Sequence, residues 1–81
     1  MQINIVSETM VKPDYSIDVR RDLCPMTFVR CRLMLDRMGS GQVLEVLHSG
    51  EEPARNLPRT ATEQGHQVLS QEAGRLLLRK G

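Results

Sequence analysis

Residues 15–38 read YSIDVRRDLCPMTFVRCRLMLDRM, and the spacing of their apolar positions changes partway along. Tyr15, Ile17 and Val19 alternate with Ser16, Asp18 and Arg20, the two-residue period of a half-buried strand. From Pro25 the period lengthens. Phe28, Cys31, Leu35 and Met38 recur at steps of three and four, so they form one stripe of a helix running to about Met38. The glycines at 39 and 41 end that helix, and QVLEVLHS (42–49) follows as a second strand, largely buried because Val43, Leu44, Val46 and Leu47 leave little alternation. SGEEPARNLPRTATEQG (49–65) reads as a loop leading into a short helix, with Pro58 in its first turn, Leu57 and Ala61 facing inward and Gly65 as its stop. HQVLSQ (66–71) and RLLLRK (75–80) are strands joined through EAG (72–74), a hairpin whose Gly74 takes a positive φ. The expected order is β-α-β-α-β-β: an α+β, two-layer sandwich in which two helices cover one face of a four-stranded mixed sheet. Residues 1–14 are either an extra edge strand or a frayed end.

Composition narrows the function. The 81 residues form one small domain, spanning 1–81. Apolar residues make up 40% and charged residues 26%, the balance of a globular protein and not of a disordered one. The 11 basic and 10 acidic side chains leave a net charge of +1, so no global field draws the chain to nucleic acid or to an anionic membrane. Tyr15 and Phe28 are the only aromatics, too few for a stacking platform under single-stranded nucleic acid. Arg30 and Arg37 share an exposed helix face, a solvated basic surface that also suits an acidic protein partner. No apolar run approaches the roughly 20 residues of a membrane span, and MQINIVSETMVKPD lacks the basic and then apolar start of a signal peptide. A cytoplasmic location is expected. His48 and His66 have no partner at metal-ligand spacing and read as strand-end or loop residues, so neither metal nor cofactor is expected.

The two cysteines differ. Cys31 lies on the apolar stripe between Phe28 and Leu35, where a small hydrophobe packs well, and it reads as an inert core residue. Cys24 precedes Pro25, a residue favoured at the first helical position, and this makes Cys24 the expected N-cap. There its sulfur faces the free N–H groups of Met26 and Thr27 and the positive end of the helix dipole. A free thiol has a pKa of roughly 8.5, and helix N-termini and nearby cations lower it to about 3.5–7.5. Cys24 is therefore either an ordinary cap or a reactive thiolate. If residues 24–31 are helical, about 1.5 Å of rise per residue separates the two Cα atoms by roughly 10 Å, beyond the limit of about 7 Å for a disulfide. A dithiol cycle within one chain loses its support, and a lone thiolate suits a carrier better than a hydrolase.

DVRRDLCPM (18–26) resembles the D-x-R-x-x-x-C-P-x-P signature of the TusA (SirA-like) sulfur-carrier family. The likeness extends over about residues 15–80, through the apolar helix positions, GSGQVLEV and NLPRTATEQGHQVL. It implies a sandwich similar to the C-terminal domain of translation initiation factor 3. It also implies that Cys24 accepts a sulfane sulfur as a persulfide from a cysteine desulfurase or a rhodanese and relays it to an acceptor protein. Asp18, Arg20, Cys24 and Pro25 match the motif residue by residue, with Asp18 and Arg20 implied to fix the loop that carries the cysteine. Whether such a carrier counts as an enzyme, a sulfurtransferase, is left open by the likeness. Two departures stand out. Thr27 replaces the second motif proline, which restores an N–H that proline lacks and offers the sulfur one more donor. Ser49, Gly50 and Glu51 stand where the family commonly has an acidic pair and a proline. The competing reading is an interaction or regulatory module on the same fold, with Cys24 a structural cap.

Overall fold

The computed structural model describes residues 12–22 and 26–81. Four strands, β1 (Tyr15–Asp18), β2 (Val43–Leu47), β3 (Gln67–Glu72) and β4 (Arg75–Arg79), form one sheet in the order β1-β2-β4-β3. β1 pairs parallel with β2, and the other two pairings are antiparallel. The expected mixed sheet with two helices is the observed one. The parallel pair requires a crossover, which α1 (Met26–Arg37) supplies, and α2 (Glu51–Glu63) carries the chain from β2 to the hairpin. Asp14 extends the β1 edge, its N–H donating to the Val43 carbonyl at 2.8 Å and its carboxylate accepting from the Val43 N–H at 2.8 Å. The rest of the proposed edge strand, residues 1–11, lies outside the described residues.

Alternation sorts the sheet into two faces. Ile17, Val19, Leu44, Val46, Leu76 and Leu78 join Cys31 and Leu35 of α1, Met38 just past it, and Leu57 and Ala61 of α2 in the core. The opposite face sets polar side chains around the buried Val43 and Leu77. There the Ser16 hydroxyl donates to Glu45 at 2.9 Å and the Arg75 Nε to Glu45 at 2.6 Å, tying β1, β2 and β4 together. Arg75 beside Glu45 holds that carboxyl below its ordinary range. The β3–β4 register shifts between Val68 and Ser70, an irregularity that the sequence pattern did not announce.

α2 differs from expectation. It begins at Glu51 and places Pro58 in its interior, not in its first turn. Glu51 and Glu52 face the positive end of the helix dipole, and Pro53 sits where its missing N–H costs little. Gly50, at φ +96°, makes the entry turn. An interior proline leaves the carbonyl four residues earlier without its helical donor. That carbonyl belongs to Ala54, and the Gln71 side chain of β3 donates to it at 2.8 Å. The helix therefore tolerates Pro58 because a strand supplies the missing bond.

Because β1 and β2 are parallel, the connections 19–25 and 48–50 leave the sheet at the same end. The hairpin turn at Ala73–Gly74 is there too, since the His48 N–H donates to the Gly74 carbonyl at 3.0 Å. In a sheet of this kind, loops beyond the carboxyl ends of parallel strands are where side chains from different elements meet.

Candidate functional site

The described part of the connection after β1, residues 19–22, is held by its own charges. The Val19 N–H donates to the Leu47 carbonyl at 2.8 Å, and the Asp22 N–H returns to the Val19 carbonyl at 3.1 Å, closing a turn over Arg20 and Arg21. Asp18 accepts three bonds from Arg20: the backbone N–H and Nε on Oδ1, each at 3.0 Å, and Nη2 on Oδ2 at 2.8 Å. The Arg20 side chain, and after it the Arg20 backbone N–H, lowers the Asp18 carboxyl to about 2. The pair is solvent-exposed, so its value is geometric: it holds the first residues past β1 in one conformation.

Two residues of this bracket were not legible in the sequence. Arg30, read as part of an exposed helix face, sends Nη1 back to the Asp22 carboxylate at 2.6 Å and to the Asp18 carbonyl at 3.2 Å. It ties the first turns of α1 to the connection that precedes them. The only signal was an opposite charge eight positions upstream, and because Asp22 lies in the connection and Arg30 in α1 no single period relates them.

Thr27 is 2% exposed and heads the buried stripe of α1, followed by Cys31 and Leu35. His48 is 3% exposed. It continues the inward row of Leu44 and Val46 by one more step of two, a phase that pointed inward although the residue lies past the strand. Among the described residues, neither the Thr27 hydroxyl nor the His48 Nδ1 has a hydrogen-bond partner. Burial pushes the His48 imidazole below its ordinary range, which favours the neutral ring at pH 7. His66, by contrast, accepts from the Gly81 N–H through Nδ1 at 3.1 Å.

Cys31 is buried in the core as expected, and burial pushes its thiol up to about 11. It lines a cleft of about 350 Å³ between α1 and α2, with Phe28, Leu35, Leu57 and Ala61. A thiol this reluctant to ionise is a poor nucleophile. Cys24 and Pro25, expected as N-cap and first helical residue, lie outside the described residues. Their neighbours in the chain, Asp22 and Met26, are the residues that end the bracketed turn and open α1. Among the described residues no cluster of His, Cys, Asp and Glu could hold a metal ion, and no helix is long and apolar enough to cross a membrane.

Comparison with known proteins gives one consistent result. The family model described as Sulfurtransferase TusA matches residues 15–79, and the chain belongs to that family. A relative from Archaeoglobus fulgidus is 41% identical over 56 residues, covering 69% of this chain and 64% of that protein. One from Bacillus subtilis is 36% identical over 62 residues, covering 75% and 81%, and one from Thermotoga maritima is 33% identical over 57 residues, covering 70% and 72%. All three are named as candidate sulfur carrier proteins. The crystal structure of a SirA-like protein from Desulfitobacterium hafniense superposes with a TM-score of 0.62 at 27% identity, over 79% of this chain and 90% of that one.

Proposed function

We propose that this protein is a sulfur carrier in which Cys24 takes up a sulfane sulfur as a persulfide and hands it to an acceptor protein. The observation that carries this reading is the bracket of Asp18, Arg20, Asp22 and Arg30 around the short segment that holds the motif cysteine in a chain of the TusA family. The chemistry needs no cofactor or outside oxidant. The Cys24 thiolate attacks the terminal sulfur of a donor persulfide; the new S–S bond forms as the old one breaks, and the donor thiolate leaves with the electron pair. An acceptor thiolate then attacks the terminal sulfur on Cys24 and releases the Cys24 thiolate. Asp18 and Arg20 are positioning residues in this scheme, and Pro25 sets the start of the helix whose dipole favours the leaving thiolate. The working unit is a single domain, in a compartment reducing enough to keep its thiols free, as in the cytoplasm.

Donor and acceptor meet the protein on α1. Met26, Val29 and Leu33 are 47%, 41% and 54% exposed, a stripe at helical spacing that starts two residues after Cys24, with Arg32 and Arg37 on the same helix. That surface fits a partner with an apolar centre and an acidic rim. Intact mass after incubation with a cysteine desulfurase, pyridoxal phosphate and free cysteine, or with a rhodanese and thiosulfate, tests the proposal. One added sulfur that reductant removes is expected in the wild type and in Cys31→Ser, and none in Cys24→Ser. Leu33→Glu should slow loading from the protein donor and leave loading from inorganic polysulfide unchanged. An absence of added sulfur with either donor and with polysulfide would leave the interaction module, with Cys24 as a cap.

A further inference from the structure

The cleft between α1 and α2 changes character from its depth to its mouth. Cys31, Leu35, Leu57 and Ala61, all buried, make its depth apolar, and the half-buried Phe28 stands with them. The space exists because each helix brings a small side chain to it, Cys31 from α1 and Ala61 from α2, where two leucines would close the gap. The polar residues of the lining are Arg32, Thr60 and Gln64. Arg32 and Gln64 are exposed and Thr60 is half-buried, so they stand toward the mouth. Among the described residues Arg32 makes no ion pair, although Asp36 lies one helical turn further along. The volume of about 350 Å³ falls at the lower end of the range of small-molecule sites, roughly 300–1,000 Å³. At about 30 Å³ for each water-sized group, it gives room for roughly a dozen non-hydrogen atoms.

We infer that this cleft binds a medium-chain aliphatic carboxylate, with the hydrocarbon tail among Leu35, Leu57, Cys31 and Ala61 and the carboxylate at the mouth beside Arg32. A guanidinium presents a planar fork of donors that matches the two oxygens of a carboxylate, and a hydroxyl and a primary amide at Thr60 and Gln64 offer further donors on the opposite wall. Burial of the tail supplies most of the affinity, and the charge of Arg32 sets which end of the ligand faces outward. The site does not include Cys24, and the inference is independent of the carrier function.

The test titrates decanoate, below the concentration at which it forms micelles, into the full-length protein and follows methyl and amide chemical shifts, with octanoate and 1-octanol as comparators. Decanoate should saturate a single site and shift the methyl groups of Leu35, Leu57 and Ala61 while the exposed Met26 and Leu33 stay in place. Octanoate should bind roughly tenfold more weakly, because two fewer methylenes are buried. Arg32→Gln should weaken both carboxylates about three- to tenfold and leave 1-octanol unaffected. Ala61→Leu fills the depth of the cleft and should abolish binding; Arg32→Gln, at an exposed position, keeps the test decisive if Ala61→Leu does not fold. Shifts that never saturate, or that fall on Met26 and Leu33 instead of the cleft, would overturn the inference, and so would an Arg32→Gln variant that binds octanoate as the wild type does. Failure of either carboxylate to bind would also overturn it, and would leave the cleft to an apolar side chain of a partner protein.

Discussion

The two helices of this protein lie against one sheet but are built differently. α2 starts with Glu51 and Glu52, which answer the positive end of its dipole; it buries Leu57 and Ala61, and even the carbonyl freed by Pro58 finds a donor in Gln71. α1 has no acid in its first turn, leaves Met26, Val29 and Leu33 in solvent, and buries at Thr27 a hydroxyl that finds no partner among the described residues. By the rules of stability α1 is the poorer helix. The first turn of α1 carries no acid of its own, and in the chain the motif cysteine stands two residues before it. The difference is one of build: α2 is answered at its acidic start and at its interior proline, whereas α1 keeps an acid-free first turn and an exposed apolar stripe.

The largest effect that can break this contrast comes from α2. Leu57 is fully enclosed by the core, so Leu57→Ala should cost about 2–5 kcal/mol of stability by urea denaturation. The rate at which iodoacetamide alkylates Cys24 in the folded protein should not change. A slowing of alkylation that accompanies the lost stability would mean that α2 also shapes the site.

Much of this contrast was readable in advance. The change of period between Val19 and Phe28, the stripe through Cys31 and Leu35 and the turn at Gly74 gave the element order, because core packing imposes those spacings directly on the sequence. Pro58 misplaced the start of α2, since a proline reads as a boundary whenever the bond that replaces its missing donor comes from a distant strand. The burial of His48 had a signal in its step of two from Val46, but the Asp22–Arg30 contact was unreadable for a related reason. That contact depends on how the crossover folds back over the sheet, and no local spacing encodes it. The motif named Asp18, Arg20, Cys24 and Pro25, but only the fold shows what grips the first two.

A mirrored pair of substitutions sharpens the comparison with smaller effects. Met26→Glu places a carboxylate in the first turn of α1, at an exposed position. A charge there is worth about 0.3–1 kcal/mol through the dipole, so the protein should become slightly more stable while Cys24 alkylation at pH 7 slows two- to fivefold, about the same energy. Glu51→Gln should do the reverse at α2, losing about 0.3–1 kcal/mol and leaving alkylation alone. If both substitutions change alkylation equally, the electrostatic distinction between the helices is lost.

The smallest effect concerns the exposed pair that precedes the cysteine. The Asp18 carboxyl is lowered from 3.8 to about 2, first by the Arg20 side chain and then by the Arg20 backbone N–H. A carboxyl depressed in the folded state contributes its stabilisation above the ordinary carboxylate range and loses it as pH falls through the depressed value. The turn over Arg20 and Arg21 should therefore keep its form from neutral pH down to about 4, with Asp18 titrating only near the bottom of the acid range when followed by carboxyl carbon chemical shifts. Arg20→Gln removes the charge and the fork of donors but keeps the backbone N–H, and should move the titration only partway back toward 3.8. Because both side chains stand in solvent, this change should barely alter global stability. Its consequence is local: sulfur transfer from a protein donor should slow, because the connection holding Cys24 samples more conformations before each encounter. A transfer rate indifferent to Arg20→Gln would mean that the Arg30 bridge to Asp22 is enough to hold the connection, and would move the positioning role from the strand to α1.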